Sequence, residues 1–289
     1  MGFFQSWKVR GTRPAWTYRV KGTIWRIIPT DFGKIVGEER DVASKQARFF
    51  CLGQRTGEVF WADLTLEEQW WIGIESVHRD LVLFHGFSTP ELPEHKMITA
   101  VDLLTGKTLW SNRELAFVAA TDDSVFAMSN ATLGRTYCEL DNRTGEKMRA
   151  VSSDDEEMRK AQRPPGFSAD NEVMQPVPAV PGDYLAMMID SHYDVDAIVG
   201  QVEAVEADDL VIFSYHEKTR QSTDQQLNLR NILKVVGKTR EVDLFEEILN
   251  THCSAPAPES FFVQCHMLYF VKERNELTAL ELQGFHAKQ

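Results

Sequence analysis

His85 and His95 stand on either side of the segment Ser88-Thr89-Pro90-Glu91-Leu92-Pro93-Glu94. Imidazole serves as metal ligand, general base or hydrogen-bonding partner near neutral pH. A histidine at a strand end beside a proline-bearing loop either faces a ligand or hydrogen-bonds to nearby backbone. Glu75 and His78 join them if the preceding strand runs alongside, and a carboxylate and two imidazoles then converge. Trp70 and Trp71 are adjacent, so on an extended chain they point to opposite faces. One packs in a core, while the other lies at the surface or between sheets, where an indole can also stack on a ligand.

A second group is Asp190-Ser191-His192-Tyr193-Asp194-Val195-Asp196, the densest run of metal-type ligands in the chain. It echoes the first half of a calcium loop. However, Val195 occupies the place of the required glycine, and Gln201 stands where a bidentate glutamate belongs. The run therefore reads as a solvated acidic loop, and no metal is expected in the chain. Asp190 and His192 join Trp70, Trp71, His85 and His95 as the candidate ligand-binding residues. Cys51, Cys138, Cys253 and Cys265 form no CxxC pair, and no histidine lies at zinc-finger spacing from them. Cys51 and Cys138 fall on strand positions and read as buried thiols. Serine-hydrolase, zincin, phosphate-loop and dinucleotide fingerprints are absent.

These residues must be held by elements of a repeating kind. Three stretches share one pattern: Arg55-Thr56-Gly57-Glu58-Val59-Phe60-Trp61, Leu104-Thr105-Gly106-Lys107-Thr108-Leu109-Trp110 and Arg143-Thr144-Gly145-Glu146-Lys147-Met148-Arg149. Aliphatic Leu52, Val101 and Leu140 precede the three glycines by five residues. Gly53, Asp102 and Asp141 precede them by four. A short hairpin loop needs a residue at positive φ, which glycine adopts without a Cβ clash. An aspartate at the start of such a turn accepts nearby backbone N–H groups. The glycines are 49 and 39 residues apart. That is close to the length of a four-stranded antiparallel unit, and the stretches between carry short β-rich runs rather than helical stripes.

The pattern of aliphatic strand, Asp, Thr-Gly-Lys/Glu and Trp resembles the repeat of pyrroloquinoline-quinone-type β-propellers, over roughly residues 20 to 151. The resemblance implies that each tryptophan packs between adjacent blades. The chain as a whole resembles a family of uncharacterised bacterial propeller-like proteins, a domain of unknown function. That impression is carried by Glu67-Glu68-Gln69-Trp70-Trp71-Ile72-Gly73-Ile74-Glu75, by Ser260-Phe261-Phe262 and by Leu268-Tyr269-Phe270-Val271. The expected fold is all-β: a β-propeller of four-stranded antiparallel blades, five in number with six as the alternative. Blades one to three run over 18–65, 70–112 and 115–151. A polar excursion at about 152–171 carries a helical turn or two before Pro164. Strand signals resume at 184–189, 198–205 and 210–215. Residues 207–209 read as a hairpin turn, and 241–248 as a strand or a short helix. The last unit shows three strands, with Asn275 in the glycine's place, and residues 15–20 supply its fourth strand and close the ring. One domain spanning 1–289 is expected.

The net charge is −12, from 43 acidic and 31 basic residues, and no basic run offsets it. Such a surface repels nucleic-acid phosphates and anionic lipid headgroups. No apolar stretch is long enough for a membrane span and no leader pattern is present, so a cytoplasmic protein is expected. That counts against a quinone-dependent dehydrogenase, and no cofactor is expected. Two readings of function stand: a non-enzymatic module that binds a protein or small molecule on one face, or a hydrolase or lyase with a loop-built histidine and carboxylate site.

Overall fold

The computed structural model describes residues 13–89, 92–131, 134–162, 172–222, 227–238 and 243–286. Over these the chain falls into two compact units, one within residues 21–167 and one within 1–20 and 168–289.

The first strand, β1 (Trp16–Arg19), belongs to the second unit. The 21–167 unit is built from three antiparallel sheets, each of four strands in sequence order. They are β2 (Thr23–Pro29), β3 (Lys34–Asp41), β4 (Gln46–Gly53) and β5 (Val59–Leu64); β6 (Ile72–His78), β7 (Leu81–Thr89), β8 (Leu92–Asp102) and β9 (Thr108–Asn112); and β10 (Ala116–Ala120), β11 (Ser124–Ala131), β12 (Gly134–Asp141) and β13 (Lys147–Val151). These limits match the three repeat units read from sequence except at the start of the first, which begins at Thr23 rather than at residue 18, because 16–19 pair with another sheet. The middle sheet is covered on both faces. Val82 and Phe84 of β7 pack with Val36, Phe49 and Cys51 of the first sheet. Leu83 packs with Val125, Ala127 and Leu140 of the third. Successive strand residues point to opposite faces, so a near-continuous apolar run is what two covered faces require.

The repeat turns have one geometry. Gly57, Gly106 and Gly145 have φ of 68°, 68° and 69°. Asp102 Oδ1 accepts the N–H groups of Leu104 and Thr105 and the Thr105 hydroxyl. Asp141 Oδ1 does the same for Arg143 and Thr144. The Thr144 and Arg143 N–H groups hold the Asp141 carboxyl below the usual carboxylate range. Each tryptophan reaches the next repeat. Trp61 Nε1 donates to Leu103 O and Trp110 Nε1 to Asn142 O, both at 2.8 Å. Their indoles lie on the following glycines: a Cβ on Gly106 would sit 2.8 Å from Trp61 Cγ, and one on Gly145 would sit 2.6 Å from Trp110 Cδ2. The glycine therefore serves the turn and admits the preceding tryptophan.

In the third copy Arg149 replaces the tryptophan and leads elsewhere. Its guanidinium bonds to Glu139, to Asp155 Oδ2 at 2.8 Å and to Glu157 Oε2 at 2.9 Å. Asp155 caps α1 (Glu156–Ala161), the helical turn expected in the excursion, and Met158 buries its apolar side. Pro164 lies outside the described residues.

The second unit holds two sheets. One has five strands: β14 (Val177–Pro178), β15 (Glu203–Ala207), β16 (Leu210–Lys218), β17 (Leu229–Gly237) and β18 (Asp243–Cys253). The other contains β19 (Phe261–Gln264), β20 (Met267–Lys272) and β21 (Glu276–Glu281), with β1 paired to β21 in the register Trp16↔Ala279 to Arg19↔Glu276. The N-terminal strand therefore completes the last sheet. A short helix, α3 (Gln283–His286), ends the described chain and places Phe285 against Phe245.

Several expectations need correction. Residues 184–189 form a helix, α2 (Tyr184–Ile189), not a strand. Asp183 caps it, accepting the Ala186 N–H at 2.7 Å, and Ala186 and Ile189 face inward. Of the stretch 198–205, only its end, from Glu203, is strand. The region 241–248 is strand from Asp243 onward, with no helix in its described part. The β20–β21 turn places positive φ on Glu273 (46°) and Arg274 (61°) rather than on Asn275. Two left-handed residues in a two-strand turn match the right-handed twist of the flanking strands, so no glycine equivalent is needed there. The hairpin at 207–209 is present, with Asp208 at φ 53°. No helix among the described residues is long and apolar enough to cross a membrane.

Candidate metal centre

The middle sheet of the 21–167 unit brings Glu75, His85 and His95 together, and two β-bulges bring this about. Along β7 and β8, His85 pairs with Ile98, Gly86 with Lys96 and Phe87 with His95, so Met97 is left over. Met97 has φ 68°, an unusual conformation for a side chain other than glycine. In an unbroken ladder His95 would face Ser88 and point away from His85. The extra residue moves it to the face of Phe87 and His85. On the other side, β6 pairs Gly73 with His85, Ile74 with Phe84 and Ser76 with Leu83, so Glu75 is itself the extra residue of a bulge.

The result is a compact donor set. The imidazoles of His85 and His95 stack with centroids 3.6 Å apart and 6° between planes. His95 Nδ1 and Glu75 Oε2 are hydrogen-bonded at 2.8 Å. His85 Nδ1 stands at the same 2.8 Å from that oxygen. It is buried and makes no hydrogen bond there. The three donor atoms all fall within 4.8 Å of one another. Burial pushes the Glu75 carboxyl up, but the nearby charges of His85 and His95 and the His95 hydrogen bond outweigh it and hold it below the usual glutamate range.

Exposure is graded across the site. The His85 side chain is 8% exposed, that of Glu75 19% and that of His95 40%. The ring of Phe87 stands edge-on to both imidazoles, at 5.1 and 5.5 Å, and Trp71 stands edge-on to Phe87 at 6.3 Å. Gly73 makes room for His85, since a Cβ there would lie 3.3 Å from its Cε1 and Nε2. The strand carrying Glu75 is anchored from the first sheet. Arg40 bonds to the carbonyls of Trp70 and Ile72 and to Glu38 Oε1. Arg26 donates to Ile74 O at 2.6 Å, and Glu38 Oε2 accepts the Ile74 N–H.

The other candidates go to different places. Trp70 and Trp71 are not on a strand: they form a bend in which Glu68 Oε1 accepts both their N–H groups, and β6 begins only at Ile72. Trp71 reaches the site through Phe87. Trp70 instead lies under the Arg40 guanidinium, 5.2 Å from the ring centroid. His78 turns to Asp122 at 3.3 Å and takes no part. Asp190 and His192 belong to the other unit and lie in a 3₁₀ turn, not an extended acidic loop. There His192 Nδ1 is 2.5 Å from Asp243 Oδ1, while Lys234 Nζ reaches the His192 carbonyl and Asp243. Tyr193 donates to Asp190, and burial together with that bond pushes its hydroxyl up to about 12. Phe87 was missed in the sequence, although its position two residues from His85 places it on the same face.

A family model described as a domain of unknown function (DUF4905) matches residues 28–110, the stretch that holds all three donors. No curated protein matches the chain. Among solved structures, Hsv2 of Kluyveromyces lactis aligns at 7% identity with a TM-score of 0.25, over 83% of this chain and 70% of that one. An exo-β-1,3-galactanase from Phanerochaete chrysosporium, in complex with β-1,3-galactotriose, aligns at 8% identity and TM-score 0.28, over 91% and 64%. A bifunctional GH43-CE protein of Bacteroides eggerthii aligns at 8% and 0.29, over 95% and 34%. At such scores these likenesses carry no argument about this chain.

Proposed function

We propose that this protein binds one divalent first-row transition ion, of the zinc class, through Glu75 Oε2, His85 Nδ1 and His95 Nδ1. The observation that supports this is the pair of stacked imidazoles presenting both Nδ1 atoms to one carboxylate oxygen. A single oxygen cannot serve both nitrogens well by hydrogen bonding alone, and the buried His85 Nδ1 is left without one. An ion about 2.0–2.2 Å from each donor holds them about 3–3.5 Å apart, so only small shifts are needed to admit it. Two imidazoles and a carboxylate suit zinc or iron(II) better than calcium or magnesium. This reading replaces the expectation of a chain without a metal.

Three protein donors would leave a fourth position of such an ion for water or a ligand. The module would hold its ligand through the ion. An enzyme of the hydrolase or lyase class is the second reading, favoured by that same open position, which in zinc enzymes carries the reactive water.

The test is metal content after dialysis of the full chain against zinc, with cobalt(II) absorption as a report on geometry. One ion per chain is expected, and His85→Ala, His95→Ala and Glu75→Gln should each weaken it by about tenfold or more. A chain that retains no stoichiometric ion, or a His85→Ala/His95→Ala double variant that binds as well as the parent, overturns the proposal.

A further inference from the structure

The strand that carries Glu75 lies at a sheet edge, and side chains take the place of a neighbouring strand there. β6 comes first in the order of the middle sheet, so among the described residues one of its edges has no strand partner. Arg26 on β2 and Glu38 on β3 stand directly opposite each other in register, and Arg40 follows Glu38 by two residues. All three therefore leave the same face of the first sheet. Val36, two residues before Glu38, packs with Val82 and Phe84, so this face is the one turned toward the middle sheet. The three side chains meet the edge of β6 group by group. Glu38 Oε2 accepts the Ile74 N–H at 3.3 Å, and Arg26 Nη1 donates to the Ile74 carbonyl at 2.6 Å. Arg40 donates to the carbonyls of Trp70 and Ile72 and to Glu38 Oε1. The Glu38 side chain is 2% exposed and that of Arg40 12%, so these bonds form largely away from water, where they hold geometry well.

Both backbone groups of Ile74 are thus committed to the first sheet. The next residue is Glu75, the extra residue of the bulge, which has no cross-strand partner on β7. The direction of a bulged side chain is set by the backbone on either side of it. Resting on the metal-binding reading above, we infer that Arg26, Glu38 and Arg40 are positioning residues for the ion. They fix Ile74 and the strand before it, and through that backbone they hold the Glu75 carboxylate against the two imidazoles. None of the three belongs to the donor set, so they act on the ion through Glu75 and not through His85 or His95. The coupling is reciprocal: an ion that draws Glu75 toward the imidazoles also tightens the hold on Ile74.

The experiment is zinc titration of the full chain in a double-variant cycle of Arg26→Ala, Glu75→Ala and the two combined. Arg26 is exposed on its strand, so its truncation leaves the core intact. Arg26→Ala should weaken zinc by about tenfold in the parent, but by less than about twofold where Glu75→Ala has already removed the carboxylate. Arg26→Lys, which keeps a cationic N–H group, should recover most of the loss. Hydrogen exchange at Ile74 is the second measurement. Zinc should slow exchange of that amide by about tenfold in the parent, and this effect of zinc should disappear in Arg26→Ala. A residue that merely stabilised the fold would weaken zinc equally in both backgrounds. Equal losses, unchanged zinc affinity in Arg26→Ala, or an Ile74 amide indifferent to zinc overturns the inference and leaves the metal site standing. A parent chain that binds no zinc overturns the metal reading first and this inference with it, and the parent titration alone reveals it.

Discussion

His85 and His95 lie face to face, 3.6 Å apart, with both Nδ1 atoms 2.8 Å from a single oxygen of Glu75. Their order in the site differs. His85 is buried, and Gly73 opposite it supplies the space its ring occupies. Gly73→Ala would place a methyl 3.3 Å from the ring, tighter than ordinary contact, and the stacked His95 blocks a simple retreat. The expected outcome is a loss of zinc affinity of about tenfold with the fold retained. Zinc titration beside a circular-dichroism melt checks it; unchanged affinity would mean that His85 is not held by this contact.

The tryptophan-to-glycine step between sheets gives a second prediction with its own control. Gly106 and Gly33 have nearly the same φ, 68° and 66°, but a Cβ at Gly33 meets nothing within 4 Å, whereas one at Gly106 strikes the Trp61 indole. Gly33→Ala should cost about 1–2 kcal/mol, from backbone conformation alone. Gly106→Ala adds an overpacked contact and should cost about 2–4 kcal/mol in total. Urea midpoints of the two variants decide the matter. Equal losses would show that the indole gives way freely and does not fix one sheet on the next.

The parts of this structure that were legible in the sequence are those where backbone geometry dictates residue type. A turn needing positive φ selects glycine, so Gly57, Gly106 and Gly145 announced the repeat, and the tryptophans announced the step between sheets. Glu75, His85 and His95 were visible as chemical types, but their convergence was not. It depends on bulges at Met97 and Glu75, each of which moves a residue to another face, and methionine at positive φ leaves no mark in a sequence. The helix at 184–189 was misread because six mostly apolar residues fit either element, although Asp183 carried the capping signal. His192 takes its partners from Lys234 and Asp243, on strands distant in sequence, which no local pattern shows.

Arg149 gives the third prediction. It stands where the earlier repeats carry tryptophan, and its bonds to Glu139, Asp155 and Glu157 join β12 to the capped end of α1. Arg149→Ala removes these three contacts between the end of the third repeat and the helix cap. Hydrogen exchange of the amides at 156–161 should accelerate by about tenfold, while the amides of β3 and β7 keep their protection. Uniform acceleration across the unit would instead mean that Arg149 supports the whole sheet stack.

The last prediction concerns acid. His216 on β16 is buried, and its Nε2 accepts the N–H of Ala257 at 3.2 Å. Burial pushes its pKa below the ordinary histidine value, so the folded chain takes up the proton less readily than the unfolded one. The sign follows: the unfolded state binds more protons, and stability rises with pH through this window. The contribution is complete above about pH 6.5 and is lost as the pH falls from there toward the depressed folded value. Protonation would also turn the acceptor of the Ala257 bond into a donor facing a donor. Melting temperature should therefore drop between pH 7.5 and 5, and His216→Gln, whose amide oxygen can accept the same N–H without titrating, should give a shallower slope. Parallel slopes for the parent and the variant would show that the buried imidazole does not govern acid stability.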